Sequence, residues 1–309
     1  MTTPKFTLAL LALIAAAAVP WLGQPYLTRL ATSVLILGIA ATSLNIVVGY
    51  GGLVSFGHAA FLGIGAYTVG ILGLAGLHSG FLGMPAAVAA AALAAFLIGG
   101  LSLRATGVFF IMITLAFAQM LYYAVIAAVP IGGDNGLRLD PVTFGSRVSL
   151  NQQTSLYYVS LVSLVAALYL CRRLVLSRFG RVLRGIKDNE RRMISLGFFA
   201  YRYKLAAFVI AGGLGGFAGA LFANLDAYAS PELIHWTMSG DMLVMLILGG
   251  VGTLAGPVLG AAAFQLLQEV ISSYTKHWML FFGPLLLLIV LVSNRGVLGL
   301  VFREARRDG

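Results

Sequence analysis

Charge is scarce in this 309-residue chain: Asp, Glu, Lys and Arg make up 10% of it. Soluble domains carry about 25% charged residues, and a water-soluble fold of this length has nowhere to hide a 60% hydrophobic composition. With a mean hydropathy of +0.96, the solvent this chain fits is a lipid bilayer. Cysteine is nearly absent. The single Cys171 excludes an intrachain disulfide and a cysteine metal cluster, and reads as a small buried helix residue. Catalytic signatures are absent too: there is no Gly-x-Ser-x-Gly elbow, no His-Glu-x-x-His, and no paired acids on one intramembrane face. Without a Gly-x-x-x-x-Gly-Lys-Ser/Thr phosphate loop, any ATP that drives this system is bound by another subunit. No metal or other cofactor is expected in the chain itself.

The cations that are present are concentrated. The net charge is +10, and of the 20 Lys and Arg, ten lie between Arg172 and Lys204. Arg295, Arg303, Arg306 and Arg307 follow near the C-terminus. A nucleic-acid binder would spread such charge over a folded face with interleaved aromatics, so no nucleic-acid partner is expected. Cations gathered in one loop and one tail are the pattern that orients a membrane protein, cytoplasmic side outlined by Lys and Arg.

Apolar segments run over 27–49, 53–77, 81–103, 107–129, 155–176, 205–225, 242–267 and 278–292. A run at 6–22 behind Lys5 resembles a secretory signal, with Ala15 to Ala18 as a small-residue zone; followed by more apolar segments, it reads as an uncleaved first helix. The expectation is an all-α polytopic membrane protein, one domain over 1–309, with about eight to ten membrane segments. Parity places the N-terminus inside, 130–154 outside, the 177–204 loop inside, and Asp226, Glu232 and Asp241 near the outer face. Glu269, near the exit of 242–267, reads as ambiguously as those outer acids, which suit either solvated helix ends or a binding partner.

A straight crossing at 242–267 would leave the basic tail at 294–309 outside. The run Gly249-Gly250-Val-Gly252-Thr-Leu-Ala-Gly256-Pro257 supplies a break, so a bent or re-entrant pair is expected, with both termini cytoplasmic. A second cluster, Gly49-Tyr-Gly51-Gly52-Leu53, echoes Gly250-x-Gly252-x-Leu254. By parity the two enter from opposite sides, as inverted repeats of interrupted helices would; two unrelated glycine packing sites fit the residues equally well.

Between Ser177 and Lys204, Val182, Leu183, Ile186, Met193, Ile194 and Leu196 alternate with cations, Asp188 and Glu190. Gly180 and Gly197 sit as stops. This patterning favours an amphipathic segment that docks into a partner over a loop that merely fixes orientation.

That loop, with its Gly-Arg-Val-Leu-Arg start at Gly180, Asp-Asn-Glu centre and Arg202-Tyr203-Lys204 end, resembles the permeases of branched-chain amino-acid ABC importers. So do the stretches 44–67, 107–116 and 243–257, and the resemblance spans about 30 to 295. The loop looks like that of the M-type subunit. The resemblance implies a second homologous permease, two cytoplasmic ATPase subunits, and a periplasmic binding protein, in a bacterial inner membrane. It implies an ATPase-coupling role for Arg181, Arg184, Ile186, Asp188, Glu190, Arg191, Arg192 and Gly197. The family's Glu-Ala-Ala…Gly pattern is met at Gly197 and replaced by Arg191-Arg192-Met193 behind Glu190.

Asn45, Ser55 and His58 flank the first glycine break, and Thr114 and Gln119 lie on one helix; these are the candidate pathway residues, against a purely helix-bonding role. Branched-chain or related hydrophobic amino acids are the expected cargo. A urea or short-amide permease of the same family is the alternative, and aromatic carboxylates remain open. A stand-alone secondary transporter would need intramembrane acids that this chain almost lacks.

Overall fold

The computed structural model describes residues 16–140, 142–144, 148–150, 152–274, 280 and 283–284. The expected first helix at 6–22 lies mostly outside them, and the last apolar segment and the basic tail almost wholly so. Within them the chain is a helical bundle: α1 (Pro25–Asn45, continued by a π-helical turn Ile46–Tyr50), α2 (His58–Leu74), α3 (Gly80–Ser102), α4 (Val108–Ala127), α5 (Gln153–Leu176), α6 (Arg178–Asp188), α7 (Glu190–Ser195), α8 (Ala200–Asp226), α9 (Trp236–Gly249) and α10 (Gly256–Tyr274). Four two-residue strands, β1 (Leu137–Arg138), β2 (Thr143–Phe144), β3 (Val148–Ser149) and β4 (Tyr228–Ala229), pair antiparallel as β1–β4 and β2–β3.

Among the described residues five spans, α1 with its π turn, α3, α4, α5 and α8, are long and apolar enough to cross a bilayer. Their burial separates centre from rim. The α1 window is 83% buried and the α8 window 61%, whereas α4 is 17% buried and leaves Val108, Phe109, Met112, Met120 and Tyr123 exposed. Large apolar side chains turned outward on a helix that is apolar all round fit a lipid or partner-helix environment. Inside, small residues let backbones meet. A Cβ at Gly65 of α2 would fall on the Gly216 carbonyl of α8, and one at Gly219 on the Leu62 carbonyl, so these two helices touch main chain to main chain.

The bundle has two chemically distinct ends. At one, α1 begins and α8 ends, joined by the Arg29–Asp226 ion pair at 2.8 Å, and the Tyr26 hydroxyl bonds Glu269 of α10. The β1–β4 pair caps α2 there, with Leu137 packed where Gly70 has no side chain. At the other, basic end, α5 passes into α6, α7 and the start of α8.

Several boundaries differ from the expected ones. Segment 53–77 is helical only from His58; the residues from Gly52 to Gly57 form a non-helical connection, because glycines and polar groups there find partners outside a helix. Helix α8 begins at Ala200 and so absorbs Arg202-Tyr203-Lys204, the end of the expected loop. The 242–267 segment is a hairpin of α9 and α10, starting at Trp236, and α10 returns to Tyr26 at the end where α1 begins. The pair is therefore bent back on itself, as expected. The inverted relation expected of the two glycine breaks is not adopted: both turns lie together near the basic end, and α2 and α10 both run from them toward the acidic end. Parity kept the chain near the outer face from Asp226 to Asp241, whereas the short helical turn Pro231–Ile234 already carries it inward beside α2, with Ile234 where a Gly63 Cβ would be.

Candidate coupling and pathway site

The basic segment folds as two short helices, not one. Ser177 caps α6 by accepting the Gly180 N–H at 3.3 Å, and Asn189 caps α7 by accepting the Arg192 N–H at 2.9 Å. Gly180, Leu183 and Ile186 form the buried stripe of α6. Gly180 is thus no stop; it sits in the first turn, where a Cβ would collide with the Leu174 and Val175 backbone of α5. Gly197 does act as one. Its φ of +87° ends α7, with the Gly197 N–H on the Ile194 carbonyl and the Phe198 N–H on the Met193 carbonyl.

Three polar ties fasten this segment to the bundle. The Arg184 guanidinium donates to the Val175 carbonyl at 3.1 Å, closing the end of α5. Glu190 pairs with the nearly buried Lys204 of α8 at 2.7 Å. Lys187 Nζ donates to the Gly49 carbonyl at 2.8 Å. Of the expected coupling residues, Arg181, Asp188, Arg191 and Arg192 face outward. Ile186 is 3% exposed and seats the helix, while Arg184 and Glu190 tie it down. Beside the outward cations stand exposed Ile194, Leu196 and Phe199, with the Arg202 guanidinium over the Phe199 ring at 5.0 Å. Phe199 and Lys187 were not singled out from sequence.

Where α1 ends, its π turn loosens the helix and Gly52 (φ +69°) reverses the chain. The second turn lies against it. Gly250 and Gly252 take φ of +105° and +78°, a region open mainly to glycine. Asn45 binds the two together: its Nδ2 donates to the Thr253 carbonyl at 2.7 Å, and its Oδ1 accepts the Gly252 N–H at 2.9 Å. A Cβ on Gly49 would overlap the Asn45 amide and sit 2.8 Å from the Gly252 nitrogen. So Gly49, Gly252 and Asn45 form one joint, and Gly256 and Pro257 start α10 behind it.

The free N–H groups ahead of and in the first turn of α2 are met by a collar of hydroxyls. Thr114 Oγ1 accepts from Phe56 N–H at 3.3 Å, Ser55 Oγ from Gly57 N–H at 3.2 Å, and Ser239 Oγ from Ala59 N–H at 2.9 Å. His58 Nε2 lies 2.7 Å from Ser43 Oγ, and its buried Nδ1 has no partner among the described residues. Asn45, Ser55, His58 and Thr114 are fully buried at broken helix ends. Gln119 is half-buried on α4, outside the collar. Glu232 is exposed on the turn ahead of α9, while Asp241 sits half-buried within α9, two residues beyond Ser239 of the collar and not in a loop, because that helix starts earlier than expected. Among the described residues no three His, Cys, Asp or Glu cluster to hold a metal.

A bundle with apolar outer helices, buried polar joints and a basic outward face is the build of a membrane transport subunit, without a catalytic constellation among its described residues. The family profile described as "Branched-chain amino acid transport system / permease component" matches residues 26–291. The chain belongs to this family of permease components. The high-affinity branched-chain amino acid transport system permease protein LivM of Escherichia coli strain K12 is 31% identical over 96% of this chain and 76% of its own length. The probable LivM of Methanocaldococcus jannaschii is 26% identical over 41% of each chain. LivH of Escherichia coli strain K12 is 26% identical over 45% of this chain and 46% of its own. No solved structure matches.

Proposed function

We propose that this chain is the M-type permease of an ATP-binding-cassette importer for branched-chain or related hydrophobic amino acids. It pairs with a second, homologous permease, and ATP is bound by two ATPase subunits beneath the pair. A periplasmic binding protein delivers cargo at the acidic end. With the segments at each terminus the chain makes about eight to ten membrane passes, and the positive-inside bias sets the basic end and both termini in the cytoplasm of a bacterial cell. The observation that carries the reading is the α6–α7 segment, where exposed Ile194, Leu196 and Phe199 stand among Arg181, Arg191 and Arg192 on a base tied into the bundle. Apolar anchors ringed by charge suit a groove on a cytoplasmic partner. ATP-driven closure of the ATPases then moves this base, and the glycine joint lets the helices around the path bend.

The test is purification of the tagged chain in mild detergent from its host, with mass spectrometry of its companions and uptake in proteoliposomes. A second permease and ATPases should co-purify, and should be lost when residues 181–197 are replaced by a neutral linker. Uptake should need ATP and prefer leucine, isoleucine and valine. Uptake by the chain alone under an ion gradient would overturn the reading, and a preference for urea would replace the cargo.

A further inference from the structure

Of the three ties that hold the docking segment, two end on the rims of continuous helices, Val175 on α5 and Lys204 on α8. Only Lys187 reaches a turn. Its ammonium meets the Gly49 carbonyl inside the π turn, where carbonyls lack helical donors and the negative end of the helix dipole gathers. Its stem lies over Gly52, where a Cβ would sit 2.8 Å from Lys187 Cγ. Gly49 in turn abuts Gly252, whose N–H is held by Asn45, and Asn45 holds the Thr253 carbonyl. These contacts form one unbroken path from the face of α6 to both glycine turns.

We propose that Lys187 is the positioning residue through which displacement of the docking segment reaches the joint of the two broken helices. Helix α6 moves as a body because Leu183 and Ile186 seat it in the core. A pull on the Gly49 carbonyl is absorbed at glycines on either side of the contact, Gly51 and Gly52 in one turn and Gly250 and Gly252 in the other, where backbone rotation is cheapest. Arg184 and Glu190 set where α6 and α7 sit; Lys187 sets what they move. The inference rests on the importer reading.

Lys187→Met keeps the stem and removes the donor, and Lys187→Arg restores a donor of similar reach. In proteoliposomes holding the full complex and its binding protein, uptake and ATP hydrolysis are measured together. Lys187→Met is expected to lower molecules imported per ATP by about tenfold, with Lys187→Arg recovering most of the loss. In the full-length chain in detergent, amide exchange at 51–53 and 250–253 is expected to quicken by at least about fivefold in Lys187→Met. A variant that folds poorly yet imports the same number per ATP has lost a merely structural contact, and the proposal falls. Unchanged exchange at both turns overturns it as well. If the wild-type complex itself shows no ATP-driven uptake, the importer reading fails, and the exchange comparison alone decides whether Lys187 holds the turns.

Discussion

The two glycine turns touch, yet they are built on opposite principles. The second carries a closure of its own besides the two bonds it receives from Asn45. Thr253 Oγ1 donates to the Gly250 carbonyl at 2.8 Å and accepts the Gly256 N–H at 3.1 Å, so one side chain closes the turn from inside. The first closes in part on itself, through backbone bonds at Gly51, Gly52 and Leu53 and through Ser55, and depends on its neighbours for the rest: Lys187 of α6, Thr114 of α4 and Ser239 of α9 satisfy groups that the π turn and the start of α2 leave free. A turn that closes itself keeps its shape wherever it is carried. A turn that leans on its neighbours changes most when they move, so the first is the more adjustable member of the pair and the second the more rigid one, yielding only at Gly250 and Gly252.

Asn45 joins the adjustable turn to the rigid one, so its loss should have the largest effect. Asn45→Ala removes two part-buried hydrogen bonds, to the Gly252 N–H and the Thr253 carbonyl, which together are expected to cost about 3 kcal/mol. Unfolding by denaturant in mixed micelles measures it; a loss near zero would mean that the turns are held by packing alone. Next come the glycines. Gly49→Ala places a methyl against Asn45 and Gly252, an overpacking cost of about 2 kcal/mol. Gly252→Ala meets only the Gly49 carbonyl at 3.4 Å, so its cost is the backbone term, about 1 to 2 kcal/mol for a left-handed conformation. The same unfolding measurement separates them by site: Asn45→Ala should relieve most of the Gly49→Ala cost and little of the Gly252→Ala cost.

This asymmetry also governs what could be read from the sequence. The rigid turn was legible because its cause is local: clustered glycines permit the left-handed backbone that the turn needs, and Pro257 suits the first turn of the helix that follows. The adjustable turn was only half legible. Gly49, Gly51 and Gly52 marked it, but residues 53–57 are apolar enough to pass for helix, and the hydroxyls that hold them open come from Thr114 and Ser239, far along the chain. Asn45 carried a usable signal, a lone amide at the end of a long apolar helix. Lys187 carried a fainter one. It follows Leu183 by four residues and Gly180 by seven, so a helical projection of α6 puts it at the edge of the buried stripe, yet among ten loop cations nothing else distinguishes it. The expected opposite orientation of the two breaks failed for a related reason. Hydropathy cannot show that the chain dips inward at Pro231–Ile234 before α9 begins.

The smallest effect tests the rigid turn on its own terms. Thr253→Val keeps the shape of the side chain and removes both of its hydrogen bonds, and is expected to cost about 1 kcal/mol. The informative quantity is its coupling to Asn45→Ala. Asn45 binds the Thr253 main-chain carbonyl and not its hydroxyl, so in a turn that closes itself the two losses should add to within about 0.5 kcal/mol. A coupling above about 1 kcal/mol would mean that the second turn also depends on its neighbour. The pair would then move as one element, and displacement of α6 would bend both broken helices together instead of swinging the first against the second.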